Sequence, residues 1–333
     1  MSAHETSAPR PQVSVVIPTT GTRCLERTVS SALGQQGVEV EVVVVMNAAG
    51  DLPRVSDDPR VRVVRSDPAL AGNGARSHGI RESSHDLVAL LDDDDYWRPD
   101  KLARQHRYVL DQRLPSDAWV VSCAVVEHAA DGATKVVPTE DPGEVDDVAE
   151  YLAGRPRLRS IGQQFQSSTL LFPRRLGLEH PFDPAVRVHQ DWGWVVECQQ
   201  AGAAILCLYE PLSHRSTGAA DALTRSITWG SSLEWADRYL TASSLRARGD
   251  FALTIAADRA VAARSLAGWL ACGWVAVRHG RPGWTAWVFY LFLITRLVRS
   301  SPLTGPASRP AAGPAARSAA RPASTADPTG DDR

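Results

Sequence analysis

Short apolar runs alternate with amphipathic stretches through the first third of this chain. Val13 to Ile17 is apolar apart from Ser14, and Pro18-Thr19-Thr20-Gly21 stops it. Leu25, Val29, Ala32 and Leu33 then share one face of a helix, which Gly34 and Gly37 end. Val40 to Met46 is almost continuously apolar, as a central parallel strand covered on both faces should be. Asn47-Ala48-Ala49-Gly50 breaks it. Val61 to Val64 reads as a third strand, Gly72 to Ile80 opens a second helix, and Leu87 to Leu91 reads as a fourth strand. Strands and helices alternating at this spacing predict a mostly parallel, doubly wound α/β sheet. Ligands of such sheets bind beyond the carboxyl ends of the strands. Those ends carry Pro18-Thr19, Asn47 and the run Asp92-Asp93-Asp94-Asp95, so the candidate chemistry gathers along one edge.

Beyond Pro99 the pattern predicts a helix to Asp111, a strand over Ala118 to Glu127, and a polar, turn-rich loop over Asp131 to Asp147. Gln166 to Phe172 reads as a strand, Asp191 to Gln200 as a helix, and Ala203 to Leu208 as a strand. From Asp221 the pattern is helical. Within Phe251 to Ser300, four tryptophans (Trp269, Trp274, Trp284, Trp287) mix with Arg278, His279, Arg281, Arg296 and Arg299. The apolar run Trp284 to Ile294 is shorter than the roughly 20 residues that span a bilayer. Packing against the rest of the protein, a helix lying in a membrane interface, and a spanning hairpin all remain open. Trp and Arg among apolar residues suit the second. After Ser301 periodicity stops, and a disordered tail is expected. The organisation read this way is a flexible N-terminus (1–12), an α/β domain (13–218), a C-terminal helical extension (219–300) and a tail (301–333).

The chain's 333 residues allow one large α/β domain with an appendage, and its 44% hydrophobic share is that of a soluble protein. A formal net charge of -2 provides no global basic field for nucleic acid. None of the cysteines, Cys24, Cys123, Cys198, Cys207 and Cys272, forms a CxxC pair, and each lies in or near an apolar segment. Buried, reduced thiols are expected, with neither a zinc site nor a disulfide framework. Met1 to Gln12 has no basic segment followed by an apolar core, so no signal peptide is read and a cytoplasmic setting is expected, peripheral to the membrane if 251–300 touches it.

Asp92 to Asp95 place four adjacent carboxylates at a strand end. Their mutual repulsion raises their pKa values unless positive charge sits among them. A divalent cation with oxygen ligands answers this, and it completes its shell with water and substrate phosphates. The run therefore points to an enzyme of phosphorylated or nucleotide-linked substrates; a solvated acidic loop is the plain alternative. Arg76, early in a glycine-led helix, favours phosphate binding. Gly72 and Gly74 do not make a dinucleotide fingerprint, because Ser77 takes the final glycine position and the segment follows the third strand.

Val13-Ser14-Val15-Val16-Ile17-Pro18-Thr19-Thr20 resembles the first strand and turn of the family 2 glycosyltransferases, which have the GT-A fold. Gly74-Ala75-Arg76-Ser77-His78-Gly79-Ile80 is similar to their second signature. Leu91-Asp92-Asp93-Asp94-Asp95-Tyr96-Trp97, with Pro99 and Lys101, resembles their acidic metal motif. Phe182-Asp183 and His189-Gln190-Asp191-Trp192 resemble their acceptor-side motif. Order and spacing agree over residues 13 to 218. The resemblance implies a nucleoside-diphosphate-sugar donor, a hydroxyl acceptor and Mn²⁺ or Mg²⁺. It implies that Pro18, Thr19 and Asn47 line the base pocket, where Asn47 stands at a position that is commonly acidic. Arg76, Asp92 and Asp93 fall to the donor as well. Asp94 would hold the metal with help from Asp95, and His214 is a candidate further metal or phosphate contact, with Arg215 as the alternative clamp. Asp191 would be the base of an inverting transfer, a role that competes with capping its helix. Trp192 and Trp194 either stack on sugar or pack. Two other readings stay in view. One is an inactive nucleotide-sugar binding module. The other is a nucleotidyltransferase, for which Pro18-Thr19-Thr20-Gly21-Thr22-Arg23 is a poor glycine-rich loop.

Overall fold

In the computed structural model, the described residues are 10–21, 24–51, 55–142, 145–155, 165–217 and 227–299. The stretches 1–9 and 300–333, where a flexible start and a tail are expected, lie outside them.

Strands β1 (Gln12–Thr19), β2 (Glu39–Met46), β3 (Val61–Arg65) and β4 (Leu87–Leu90) run parallel in the order β3-β2-β1-β4. Their pleat divides the side chains between two cores, as a period of two requires. Val13, Val15, Ile17, Val42 and Val44 enter one core, with Leu25 and Val29 of helix α1 (Leu25–Leu33) and Leu102 of α3 (Lys101–Gln112). Val16, Val43, Val45 and Leu90 enter the other, with Ile80 of α2 (Ala71–Glu82). Gly79 permits the close approach of α2: a Cβ there would stand 2.3 Å from Val16 Cγ1 and 2.9 Å from Val45 Cγ2. A side chain cannot fit without moving a strand.

The second half of the sheet is mixed. β8 (Leu171–Pro173) runs antiparallel between β4 and β6 (Trp119–His128), and β9 (Ala204–Ser216) runs parallel to β6. The short β5 (Tyr96–Trp97) closes the far edge against β9, and β7 (Thr134–Val137) pairs with β6. Three expectations change here. The supposed loop 131–147 contains β7, which makes a hairpin with β6. Gln166 to Thr169 is not strand: Ser167–Thr169 is a 3-10 turn, and pairing begins only at Leu171. The last strand also runs on from Leu208 to Ser216, because its outer half finds a partner in β5 and follows β6 through a bulge near Ala124.

Helices α4 (Val148–Ala153), α5 (Arg174–Glu179) and α6 (Gln190–Gln200) precede the C-terminal helices. Those are α7 (Trp229–Leu240), α8 (Leu245–Phe251), α9 (Ala257–Ala262), α10 (Leu266–His279) and α11 (Trp284–Arg299). A π-helical turn, Ala252–Ala256, joins α8 to α9. The inner faces of these helices enter the same core as β1 and α2, through Trp235, Phe251, Leu253, Cys272 and Leu293. Asp250 is fully buried and binds the connection: its oxygens accept from the backbone N–H of Arg155 at 2.8 Å and of Gly283 at 2.7 Å. No described helix is long and apolar enough to cross a membrane. All five cysteines are free thiols. Cys24 departs from the expected burial and is exposed, because it sits at the entry to α1.

Candidate active site

The parallel register brings the carboxyl ends of β1, β2 and β4 to one edge. Val16 lies opposite Leu90, so Thr19 reaches the acidic loop, and its hydroxyl donates to Asp93 Oδ2 at 2.5 Å. Pro18 lies opposite Val45, and the Asn47 amide continues the β1–β2 ladder by donating to the Thr19 carbonyl at 2.9 Å. From α1, the Thr28 hydroxyl donates to the carbonyls of Asp93 at 3.0 Å and Asp95 at 2.8 Å. The acidic loop is thus held by its backbone, which leaves Asp92, Asp93 and Asp94 half-buried at the mouth.

Asp95 is different. It is 1% exposed, and its Oδ2 accepts from Gln166 Nε2 at 2.9 Å and Ser168 Oγ at 2.6 Å. Oδ1 is buried without a hydrogen-bond partner. Burial, then the charges of Asp92 and Asp94, pushes this carboxyl well above the usual range against the pull of Ser168. Asp95 therefore faces into the fold.

Arg76 supplies the positive charge that four carboxylates need. Its guanidinium is buried, with Nη2 donating to Asp92 Oδ1 at 2.7 Å. Nη1 donates to Gln190 Oε1 at 3.1 Å. Burial alone would lower its pKa; Asp92, Asp191 and Asp93 outweigh that and hold it raised. The pairing leaves Arg76 charged and tied to the acidic edge.

Asp191 lies in the first turn of α6 but does not cap it. His189 occupies the cap position, in the left-handed region at φ 48°. Asp191 instead accepts from the Ser167 amide at 3.0 Å (Oδ2) and from the Ser167 hydroxyl at 2.5 Å (Oδ1). Burial raises its pKa and Asp92 adds to the rise, while Arg76 and the two Ser167 bonds oppose it. A carboxylate so placed is more basic than one in water, the property a general base needs.

The run Gln166-Ser167-Ser168 was not a sequence candidate, yet it joins Asp92, Asp95 and Asp191. Gln166 and Ser168 hold Asp95, Ser168 Oγ accepts from the Asp92 amide at 3.0 Å, and Ser167 holds Asp191. Its signal was a polar quartet, Gln166 to Thr169, ahead of an apolar strand.

His214 lies inside β9, not beyond the last strand. It pairs with Tyr96 across the ladder, stacks on its ring at 4.6 Å between centroids, and has Nδ1 3.0 Å from His128 Nε2. Among the described residues no group of three His, Cys, Asp or Glu side chains is placed to hold a metal by itself. Asp93 and Asp94 nonetheless offer hard oxygen donors at the mouth. That donor set fits Mn²⁺ or Mg²⁺ held by one or two carboxylates with substrate phosphates completing the shell. Trp194 packs, 2% exposed and stacked on Phe182 at 4.7 Å, with its indole N–H donating to the His180 carbonyl at 2.7 Å. Trp192 is half-buried against His189, and Asp183 accepts from Arg238 at 2.6 Å.

A parallel half-sheet with an acidic edge, continued by a mixed half under helices, is the GT-A architecture of glycosyltransferases. Residues 14–124 match the model of glycosyl transferase family 2. Amylovoran biosynthesis glycosyltransferase AmsB of Erwinia amylovora is 29% identical over 213 residues, covering 60% of this chain and 68% of that protein. Succinoglycan biosynthesis protein ExoO of Rhizobium meliloti (strain 1021) is 44% identical over 82 residues, which cover 23% of this chain and 24% of that protein. Among solved structures, S. aureus TarS 1-349 in complex with UDP-GlcNAc superposes with a TM-score of 0.57 at 12% identity, over 86% of this chain and 88% of that one. That likeness is one of fold. The family match and these relatives support glycosyl transfer, and Asp191 lies outside the matched stretch.

Proposed function

We propose that this glycosyltransferase moves a sugar from a nucleoside diphosphate to an acceptor hydroxyl, with inversion and with Mn²⁺ or Mg²⁺. The carrying observation is Arg76, which joins Asp92 at 2.7 Å to Gln190 at 3.1 Å. One guanidinium thus ties the donor edge to the turn that carries Asp191. Pro18, Thr19 and Asn47 line the base pocket, an amide at Asn47 offering both a donor and an acceptor to a base edge. Asp92 and Asp93 face the ribose side, and Arg76 lies within reach of the diphosphate. Asp94 holds the cation, Asp95 supports the loop from beneath, and His214 stands at its flank. When bound, the ion neutralises charge on the departing diphosphate.

Asp191 accepts the proton of the acceptor hydroxyl while the acceptor oxygen bonds to the anomeric carbon. The bond from that carbon to the diphosphate oxygen breaks in the same displacement, and the electron pair leaves with the diphosphate. Ser167 keeps the carboxylate oriented throughout. The names of AmsB and ExoO support a polysaccharide precursor as acceptor, and the TarS complex supports UDP-GlcNAc as the first donor to try.

A thermal-shift series with nucleoside diphosphates and nucleotide sugars, each with and without Mn²⁺, tests the reading. A ligand that binds the native state raises its apparent stability. A Mn²⁺-dependent shift with one nucleotide class is expected. A folded sample that responds to none would overturn the donor assignment.

A further inference from the structure

The exposed large apolar side chains of this protein are unevenly spread. Among the described residues most of them sit on α10 and α11: Leu270, Trp274 and Val277 on the first, and Trp284, Leu291 and Phe292 on the second. Trp274 is 67% exposed and Trp284 68%. The spacing shows why. On α10 the inner face is Trp269, Cys272 and Ala276, and Leu266, Leu270, Trp274 and Val277 fall on the opposite side. On α11, Ala286, Tyr290 and Leu293 point inward, while Trp284, Val288, Leu291 and Phe292 point out. Each helix is apolar on both faces and uses only one for the core. The stacked rings of Trp269 and Tyr290, 4.2 Å apart and cross-bonded to each other's carbonyls, clamp the pair.

Charge says what covers the outer faces. No acidic residue occurs between Asp258 and Asp327. Over the same helices and their turn, Arg264, Arg278, His279 and Arg281 are exposed. Apolar faces carrying tryptophan, with a rim of one positive sign, match the boundary between acyl chains and anionic headgroups. At about 1.5 Å rise per residue neither helix reaches the roughly 30 Å of a bilayer core. A second copy of this chain fits less well, because two such faces would bring like-charged rims together.

We propose that the outer faces of α10 and α11 seat the protein in the plane of an anionic membrane surface, without spanning it. Leu270, Trp274, Trp284, Leu291 and Phe292 enter the acyl boundary, and Arg278 and Arg281 meet the headgroups. The proposal stands apart from the assignment of donor and base.

Sedimentation of the full chain with phosphatidylglycerol–phosphatidylcholine vesicles, against phosphatidylcholine alone, tests it. Wild type pellets with the anionic vesicles. Binding weakens by about tenfold in Arg278→Gln/Arg281→Gln and on raising salt from about 0.05 to about 0.5 M. The pair Trp274→Glu/Leu291→Glu loses vesicle binding while keeping the wild-type circular dichroism. Should that pair misfold, quenching of wild-type indole fluorescence by brominated lipid provides the readout for insertion, and its absence overturns the proposal. Failure to pellet at low salt also overturns it, as does equal, salt-independent binding to both vesicles. A dimer seen by light scattering, without vesicle binding, would assign the face to a second copy instead.

Discussion

Ser167 meets both oxygens of Asp191, giving its amide to Oδ2 at 3.0 Å and its hydroxyl to Oδ1 at 2.5 Å. These bonds favour the ionised carboxylate against the burial that raises its pKa. Ser167→Ala removes the hydroxyl and so raises the pKa further. A general base works only when ionised, so the acid limb of the kcat profile moves to higher pH and kcat on that limb falls about tenfold. A profile that shifts the other way, or stays put, separates Ser167 from the base.

Asp191→Asn keeps the shape and the partner but cannot take a proton. Transfer is expected to fall about a thousandfold or more, while calorimetry finds donor affinity within about twofold of wild type. Normal transfer by this variant removes Asp191 from the chemistry.

Gly79→Ala tests the packing of α2 on the sheet. Its Cβ would stand 2.3 Å from Val16 Cγ1, and the two elements carry site residues, Arg76 on α2 and Thr19 at the end of β1. The expected loss is about 1–3 kcal/mol, the usual cost of overpacking, read from the urea midpoint.

Lys101 is fully buried, with one hydrogen bond to Gln105 Oε1 at 2.8 Å and the Trp97 ring 4.1 Å away. Burial pushes its ammonium down to about 8 from an ordinary 10.5. The unfolded chain therefore binds the extra proton between these values, and this group's cost to stability, full below pH 8, is relieved as pH rises. Relative to Lys101→Met, wild type gains up to about 1.4 kcal/mol per pH unit in that window. Burial pushes the neighbouring Cys123 thiol up to about 11, which works in the opposite direction above pH 9. Chemical denaturation of both proteins at pH 8 and pH 9 is the clean comparison; parallel curves would refute the buried charge.

The parallel half was readable because its strands are covered on both faces, so Val42 to Met46 and Leu87 to Leu91 are apolar without interruption. Their polar ends then named Thr19, Asn47 and the acidic loop. The mixed half was harder. The outer half of β9 becomes a strand because it pairs with β6 beyond a bulge and with β5, Tyr96 opposite His214, and no local pattern encodes partners so distant in the chain. For the same reason Gln166-Ser167-Ser168 read as the start of a strand. Its value lies in side chains that reach Asp95 and Asp191 from a turn, and apolar periodicity says nothing about such bonds. Cys24 fails for a local reason: an apolar residue beside a helix entry has no face to bury against.

Asp250 accepts from Arg155 on one side and Gly283 on the other, with no exposed surface of its own. A chain cut after β9 would lose that carboxylate, and would bare the part of the core around Val16 and Ile80 that the C-terminal helices now cover. The transferase half is consequently no detachable module. Heating should melt residues 10–299 in one calorimetric transition, and expression of 1–218 alone should give aggregate in place of a smaller enzyme.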